Sequence, residues 1–304
     1  MFRERLQAAA VILFVLAIAG VVVVLLMRVD REAPAAQAPS ATPSNDLDAA
    51  AGDPVGSVSL IAGKGDLVVR VTAGSCTAPG GPKLELSENQ SRTFHRIRLP
   101  QVDDGSGISA ASPAVRAIVW ARATTEHKLR VAAADTECKV HEYTTADGGV
   151  TWEQEAGGVA RWYKDPGTEG VVAPTGPVDP GCDGVVSIMP LTRKSANVVC
   201  VDDIFRTTRD GGATWIDAGR LPDTSVAVFT RPLIGYASVV ERRCKSRIHA
   251  TVDGGRTWIP RGCVHEEFIL PGLTGTEKRL VAGGTAGMRL STDGGATWKI
   301  PTKK

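Results

Sequence analysis

Four carboxylates stand in one repeated context and are the first residues to invite chemistry. Asp147, Asp210, Asp253 and Asp293 each follow a Ser or Thr by two places and precede a Thr-Trp pair by four. Carboxylates of this number suit acid–base work or a calcium cage, and either use needs them to converge on one point. Their identical surroundings argue for a repeated turn instead. Asp-Gly-Gly supplies backbone positions that accept positive φ, and the carboxylate accepts the N–H groups of its own turn. The histidines are scattered with no His-x-x-x-His, and His265-Glu266-Glu267 lacks metal-ligand spacing and reads as a solvated loop. Asp103-Asp104-Gly105-Ser106-Gly107 lacks the later acids of a calcium loop and reads as a polar turn. No metal or cofactor is implied. Two surface candidates remain. Arg242-Arg243-Cys244-Lys245-Ser246-Arg247 is the densest basic stretch, suited to an anionic partner or to a solvated strand connection. Trp162-Tyr163-Lys164 places two large aromatics side by side in what reads as a loop, where they could anchor a partner or cover a sheet edge.

The rest of the chain must position these groups. Lys+Arg total 35 against Asp+Glu 33 over 304 residues, a balance that excludes a nucleic-acid coat and its concentrated basic field. Frequent Gly (33) and Pro (18) beside 43% hydrophobic residues exclude a helical bundle and point to a turn-rich β protein. Ala8–Met27 is uncharged throughout. As a helix it would span ~30 Å, the thickness of a bilayer core, so residues 1–32 are expected to be a cytoplasmic stub and a single retained signal-anchor. The alternative is a signal peptide cleaved near Pro39. Residues 33–55, rich in Ala, Pro and Ser, read as a linker that cannot bury enough apolar surface to fold. All six cysteines (Cys76, Cys138, Cys182, Cys200, Cys244 and Cys263) lie beyond the span, and none forms a CxxC. Even in number, they suggest disulfides in an oxidising compartment. The expected placement is therefore the cytoplasmic (inner) membrane, single-pass, with residues 56–304 outside the cytoplasm. The expected partners are the membrane through the N-terminal helix and an envelope protein or glycan, with no nucleic acid.

From about Gly56 onward, short β-branched runs alternate with Gly, Pro, Asp and Asn, and no helical period is sustained. Four near-identical octapeptides punctuate the runs: Thr145–Trp152, Thr208–Trp215, Thr251–Trp258 and Ser291–Trp298. A weaker copy runs from Ser87 to Phe94, with Asn89 in the Asp place. Trp152, Trp215, Trp258 and Trp298 close the four full copies. The octapeptides resemble the Asp-box (BNR) repeat, found in sialidase-like, photosystem II assembly factor-like and sortilin-type propellers. The resemblance covers roughly residue 82 to the end. It implies an all-β β-propeller of about five four-stranded blades, alternatively six, with each box as the turn between third and fourth strands. In that reading the box residues are structural.

Placing the boxes gives blades near 57–98, 116–154, 184–218, 224–260 and 267–301, with inserts at 100–113 and 157–183. At ~40–45 residues per blade, neither insert has room for another. The same placement puts all six cysteines on the rim opposite the boxes. Their nearest-neighbour pairing is then Cys182–Cys200 and Cys244–Cys263, leaving Cys76 for Cys138 across adjacent blades. Trp162, Tyr163, Arg242 and Arg243 fall on the same rim, where a binding site is expected. The resemblance also raises a sialidase-type glycoside hydrolase, which needs an arginine cluster, a Tyr/Glu nucleophile pair and an acid. Arg96-Ile97-Arg98-Leu99-Pro100 departs from the family's Arg-Ile-Pro motif and follows a box, and Tyr236 with Glu241 is the remaining nucleophile pair. The favoured expectation is a non-catalytic binding or assembly module. A photosystem-assembly type of role is a weaker third.

Overall fold

The computed structural model describes residues 58–62, 66–78, 80–100, 115–284 and 287–301. The chain divides into units Met1–Gly52 and Asp53–Lys304, and the described residues all belong to the second. The expected span at 8–27, the linker at 33–55 and the Asp103–Gly107 turn lie outside them. Among the described residues no helix is long and apolar enough to cross a membrane.

The β-branched runs form six antiparallel sheets among the described residues. The first holds β1 (Val58–Ala62), β2 (Val68–Thr72), β3 (Lys83–Ser87) and β4 (His95–Ile97), and the second β5 (Ala117–Ala123), β6 (Leu129–Ala134), β7 (Val140–Thr145) and β8 (Glu153–Gln154). The third has only β9 (Tyr163–Lys164), β10 (Val171–Ala173) and β11 (Gly176–Val178). The fourth comprises β12 (Val185–Pro190), β13 (Ala196–Cys200), β14 (Ile204–Thr208) and β15 (Ile216–Arg220). The fifth comprises β16 (Thr224–Phe229), β17 (Gly235–Glu241), β18 (Cys244–Thr251) and β19 (Ile259–His265). The sixth holds β20 (Gly272–Gly275), β21 (Leu280–Gly284) and β22 (Gly287–Ser291), with one further bridge from Leu290 to Lys299. Strand order follows chain order within every sheet, the signature of an up-and-down meander. The first strands of successive sheets pack on one another, β1 on β5, β12 on β16 and β16 on β20, while β9 lies between β5 and β12. The succession closes where β1 meets β20 and β21. Sheets packed face to face in a closed succession are the architecture of a β-propeller.

The insert at 157–183, expected to have no room for a further blade, folds into the third sheet, and of the two readings of Trp162-Tyr163 the exposed pair is the one corrected. The strands of this sheet are two or three residues long and need little chain. Trp162 and Tyr163 are therefore not an exposed loop pair. Trp162 is 3% exposed, its Nε1 donates to the Thr192 carbonyl, and its ring meets Trp215 edge-on at 6.0 Å. Tyr163 is half-buried in β9.

The core lies between sheets, and the repeat turns fasten it. The Trp of each turn packs on the sheet before its own. Trp152 joins Ile97 and donates to the Arg98 carbonyl, and Trp215 joins Trp162 and Val171. Trp258 reaches Phe205 of β14, with ring centroids 4.9 Å apart, and Trp298 joins Ile248 of β18. In the weaker copy, Phe94 packs with Val281, Met288 and Leu290 and so fastens the first sheet to the last. An ion pair from Asp66 to Arg279 spans the same seam at 2.9 Å.

Candidate functional site

The four repeated carboxylates do not converge on a shared site, because each is spent inside its own turn. In the fourth sheet Asp210 Oδ1 accepts from the Thr208 hydroxyl and the Thr214 N–H, and Oδ2 accepts from the Thr214 hydroxyl at 2.6 Å. Asp147, Asp253 and Asp293 repeat the scheme with Thr151, Thr257 and Thr297. The Thr214 hydroxyl and N–H, then the Thr208 hydroxyl, lower the Asp210 pKa to about 2. Asp253 is lowered to about 2 by the matching Thr257 groups, and Asp147 and Asp293 are lowered as well. The two glycines of each turn hold positive φ, as at Gly211 (85°) and Gly212 (93°). A Cβ on Gly212 would come within 2.7 Å of Val178, so this position has neither the dihedral nor the space for a side chain.

Tyr236 and Glu241 are not assembled as a nucleophile pair. They sit near opposite ends of β17, with the Tyr236 ring 5% exposed and its hydroxyl donating to the Glu277 carbonyl. Burial raises the Tyr236 pKa. Glu241 is occupied by Arg247 Nε at 2.7 Å and by His249 Nε2 at 3.0 Å. Burial opposes ionisation there, but the hydrogen bonds from His249 and Arg247 win and hold the carboxyl below its ordinary range. Among the described residues no group of three or more His, Cys, Asp or Glu side chains is disposed to hold a metal ion. A shallow cleft of about 310 Å³ beside the Thr145–Trp152 turn is lined by Lys128, Arg130, Thr144 and Glu153 and faces no assembled catalytic group.

The disulfides form as expected: Cys76–Cys138, Cys182–Cys200 and Cys244–Cys263, with Cα separations of 5.7, 5.5 and 5.9 Å. They mark the rim where second strands turn into third and sheet connects to sheet. Cys263 lies within β19 rather than in a connection.

On this rim two adjacent exposed apolar residues sit near cations that have no ion-pair partner among the described residues. Arg242 and Arg243 make the tight turn between β17 and β18 and are exposed, as is Lys245. None of the three has an ion-pair partner among the described residues, whereas the neighbouring Arg247 is paired with Glu241. Beside them the connection from β19 to β20 holds Phe268 and Ile269 in solvent at 52% and 56% exposure. Sequence reasoning missed both residues. The clue was a Phe-Ile pair wedged between Glu266-Glu267 and Leu270-Pro271, too apolar for a solvated loop.

This connection is built rather than slack. The buried Ser246 hydroxyl donates to the Phe268 carbonyl and accepts from the Leu270 N–H at 2.9 Å. The His265 ring accepts from the Glu267 and Phe268 N–H groups and lies 4.5 Å from the Phe268 ring. The Lys245 N–H donates to the Glu266 carbonyl at 3.2 Å. The Cys244–Cys263 bridge ties the strands at its base.

Fold and rim together define a class: a disulfide-stapled all-β propeller that displays an apolar tip flanked by unneutralised cations. No family model matches the chain, and no curated protein matches it. Solved structures to which it is similar in fold include three that follow. YCF48 bound to D1 peptide is 14% identical, with a TM-score of 0.34, covering 80% of this chain and 66% of that one. The GH74 xyloglucanase from Xanthomonas campestris is 11% identical, with a TM-score of 0.44, covering 81% of this chain and 47% of that one. An Aleuria aurantia lectin in complex with α-methyl-L-fucoside is 10% identical, with a TM-score of 0.42, covering 81% and 93%. These likenesses concern the β-propeller arrangement of sheets alone.

Proposed function

We propose that this chain is a membrane-anchored, extracytoplasmic β-propeller of six blades that acts as a non-catalytic binding or assembly module for an envelope protein. Taking every sheet as a blade gives the six, with the repeat turns read as Asp-boxes. The uncharged run Ala8–Met27, with every cysteine downstream of it, supports the anchor and the extracytoplasmic placement. The observation that carries the binding role is the tethered tip at Phe268 and Ile269. With about half of each side chain still in water, a partner that covers both recovers on the order of 1 kcal/mol from each. The Ser246, His265 and disulfide anchors fix the tip in advance, so little ordering entropy is lost when a partner docks.

A photo-crosslinking residue placed at Phe268 in the full chain, in its native envelope, tests the reading. A discrete adduct is expected from this position and none from Ile216, which is as exposed but lies on the outer strand β15. Equal labelling at both positions, or none at Phe268, would refute the binding role. Turnover of a fluorogenic sialoside that disappears in Tyr236→Phe would establish the glycosidase alternative instead.

A further inference from the structure

We infer that the side of the second sheet facing the third is a binding site for a neutral saccharide unit. The site is separate from the Phe268–Ile269 tip and does not rest on it. In the first, fourth, fifth and sixth sheets, the residue five places before the turn's Asn or Asp is Leu84, Phe205, Ile248 and Met288. Each is buried in the cluster that receives the aromatic of the next repeat turn, which is Trp152, Trp258, Trp298 and Phe94 in that order. The second sheet has Glu142 at this place and Thr144 two residues on, opposite Ala132 and Arg130 of β6. The third sheet carries no repeat turn, so no Trp comes to cover them. Arg161 takes part of that seat by bonding Glu142 at 2.8 Å. The remainder stays open as the cleft of about 310 Å³. A polar seat thus replaces an apolar one at the sheet whose covering side chain is missing, and departures of this kind from a repeat's own rule mark functional positions.

The groups around the cleft define what it can hold. Lys128 and Glu153 both line it, and neither has an ion-pair partner among the described residues. The Thr144 hydroxyl, also in the lining, has no hydrogen-bond partner among them either. Arg130 is fixed by Glu142, 3.4 Å from its Nε, and by Glu155, which accepts from its Nη2 at 2.9 Å. Its Nη1 is left without a partner among the described residues. Ala146 lines the cleft as well, but the carboxylate of the adjacent Asp147 is spent inside its own turn. An anion drawn to Lys128 would meet Glu153, and a cation drawn to Glu153 would meet Lys128 and Arg130. A sugar hydroxyl donates and accepts, so one ring can give a proton to Glu153 while accepting from Lys128 and Arg130. Leu129, Ala146 and the alkyl stems of Lys128 and Arg130 offer apolar surface to its C–H face. The volume lies at the lower end of the ~300–1,000 Å³ of small-ligand pockets, which suits a small unit.

The test titrates the full-length chain by ligand-observed NMR in an amine-oxide detergent, whose headgroup is no sugar and cannot compete. The probes are maltotriose, cellotriose and chitotriose, with trigalacturonate as an anion and dialanine as a zwitterion. At least one neutral trisaccharide should bind with a Kd on the order of 1 mM, about tenfold more tightly than trigalacturonate or dialanine. Lys128→Ala and Glu153→Ala should each weaken it about tenfold, the loss expected for a hydrogen bond to a charged group. Thr144→Trp, which returns an aromatic to the seat, should abolish binding. Lys278→Ala, on the corresponding turn of the sixth sheet, should leave it unchanged. Lys128, Glu153 and Lys278 are exposed, and an unchanged thermal transition confirms that their variants fold even if Thr144→Trp does not. Failure of all three trisaccharides to bind, equal or tighter binding of trigalacturonate or dialanine, or full affinity in Lys128→Ala and Glu153→Ala would each overturn the inference. The adduct from position 268 reads the other surface, so the binding-module reading survives any of these results.

Discussion

Asp210 is exposed to solvent, yet two threonine hydroxyls and a backbone N–H hold its carboxylate, and its proton binds only near pH 2. Asp253 behaves alike. A group whose folded pKa lies below its unfolded value of 3.8 gives stability that is complete above that value and drains away as the pH falls toward 2. The urea midpoint should therefore hold steady from roughly pH 7 to 5 and fall between about pH 4 and 2. Changing both residues to Asn should flatten that fall. The first sheet already carries the neutral form, for Asn89 Oδ1 accepts from the Arg92 and Thr93 N–H groups while Nδ2 donates to the Thr93 hydroxyl. In that turn Gln90 and Ser91 stand where the other copies have glycine, at φ of 63° and 68°. Ser91 is also buried, with a hydroxyl that finds no hydrogen-bond partner among the described residues. Ser91→Gly should relieve both penalties and stabilise the protein by about 1 kcal/mol in equilibrium urea unfolding. The turn residues were legible in the sequence because their chemistry is local. Phe268 and Ile269 were not, because exposure depends on what other segments leave uncovered.

At the scale of elements, the third sheet breaks the pattern. It carries no repeat turn of its own, and its junction with the second sheet is polar instead. Arg161 stacks 3.8 Å over Trp120 and bonds the buried Glu142 at 2.8 Å. Arg161→Ala leaves Glu142 with only the weaker contact from Arg130 at 3.4 Å and should cost about 2–3 kcal/mol. Replacing Glu142 by Gln in the same chain should return part of that loss. The sequence hid this sheet because its strands are too short to alternate and are interrupted by Gly and Pro. The disulfide pairing was legible for the opposite reason: strand direction alone puts all six cysteines on one rim. Replacing Cys182 and Cys200 by Ser opens a short loop and should lower stability by ~3 kcal/mol in the chain-entropy account, read as a lower urea midpoint.

Over the whole molecule, the proposed anchor makes a direct prediction. Protease added to intact spheroplasts should remove everything beyond the linker, and full protection of the propeller would place it inside the cell. The repeat spacing made the propeller legible and left five or six blades open, since only five of the six sheets among the described residues carry the turn that marks them. Closure of the succession could not be read at all, because it joins segments remote in sequence. Asp66 and Arg279 are separated by 213 residues, and Phe94 must wait for Val281 and Met288. A ribosome adds roughly 5–20 residues per second, so the apolar flank of the first sheet stays uncovered for on the order of ten to forty seconds after it is made. A chain threaded outward behind the proposed anchor would cross the membrane with that flank bare, and the last sheet to emerge would set the time at which the first becomes safe from aggregation.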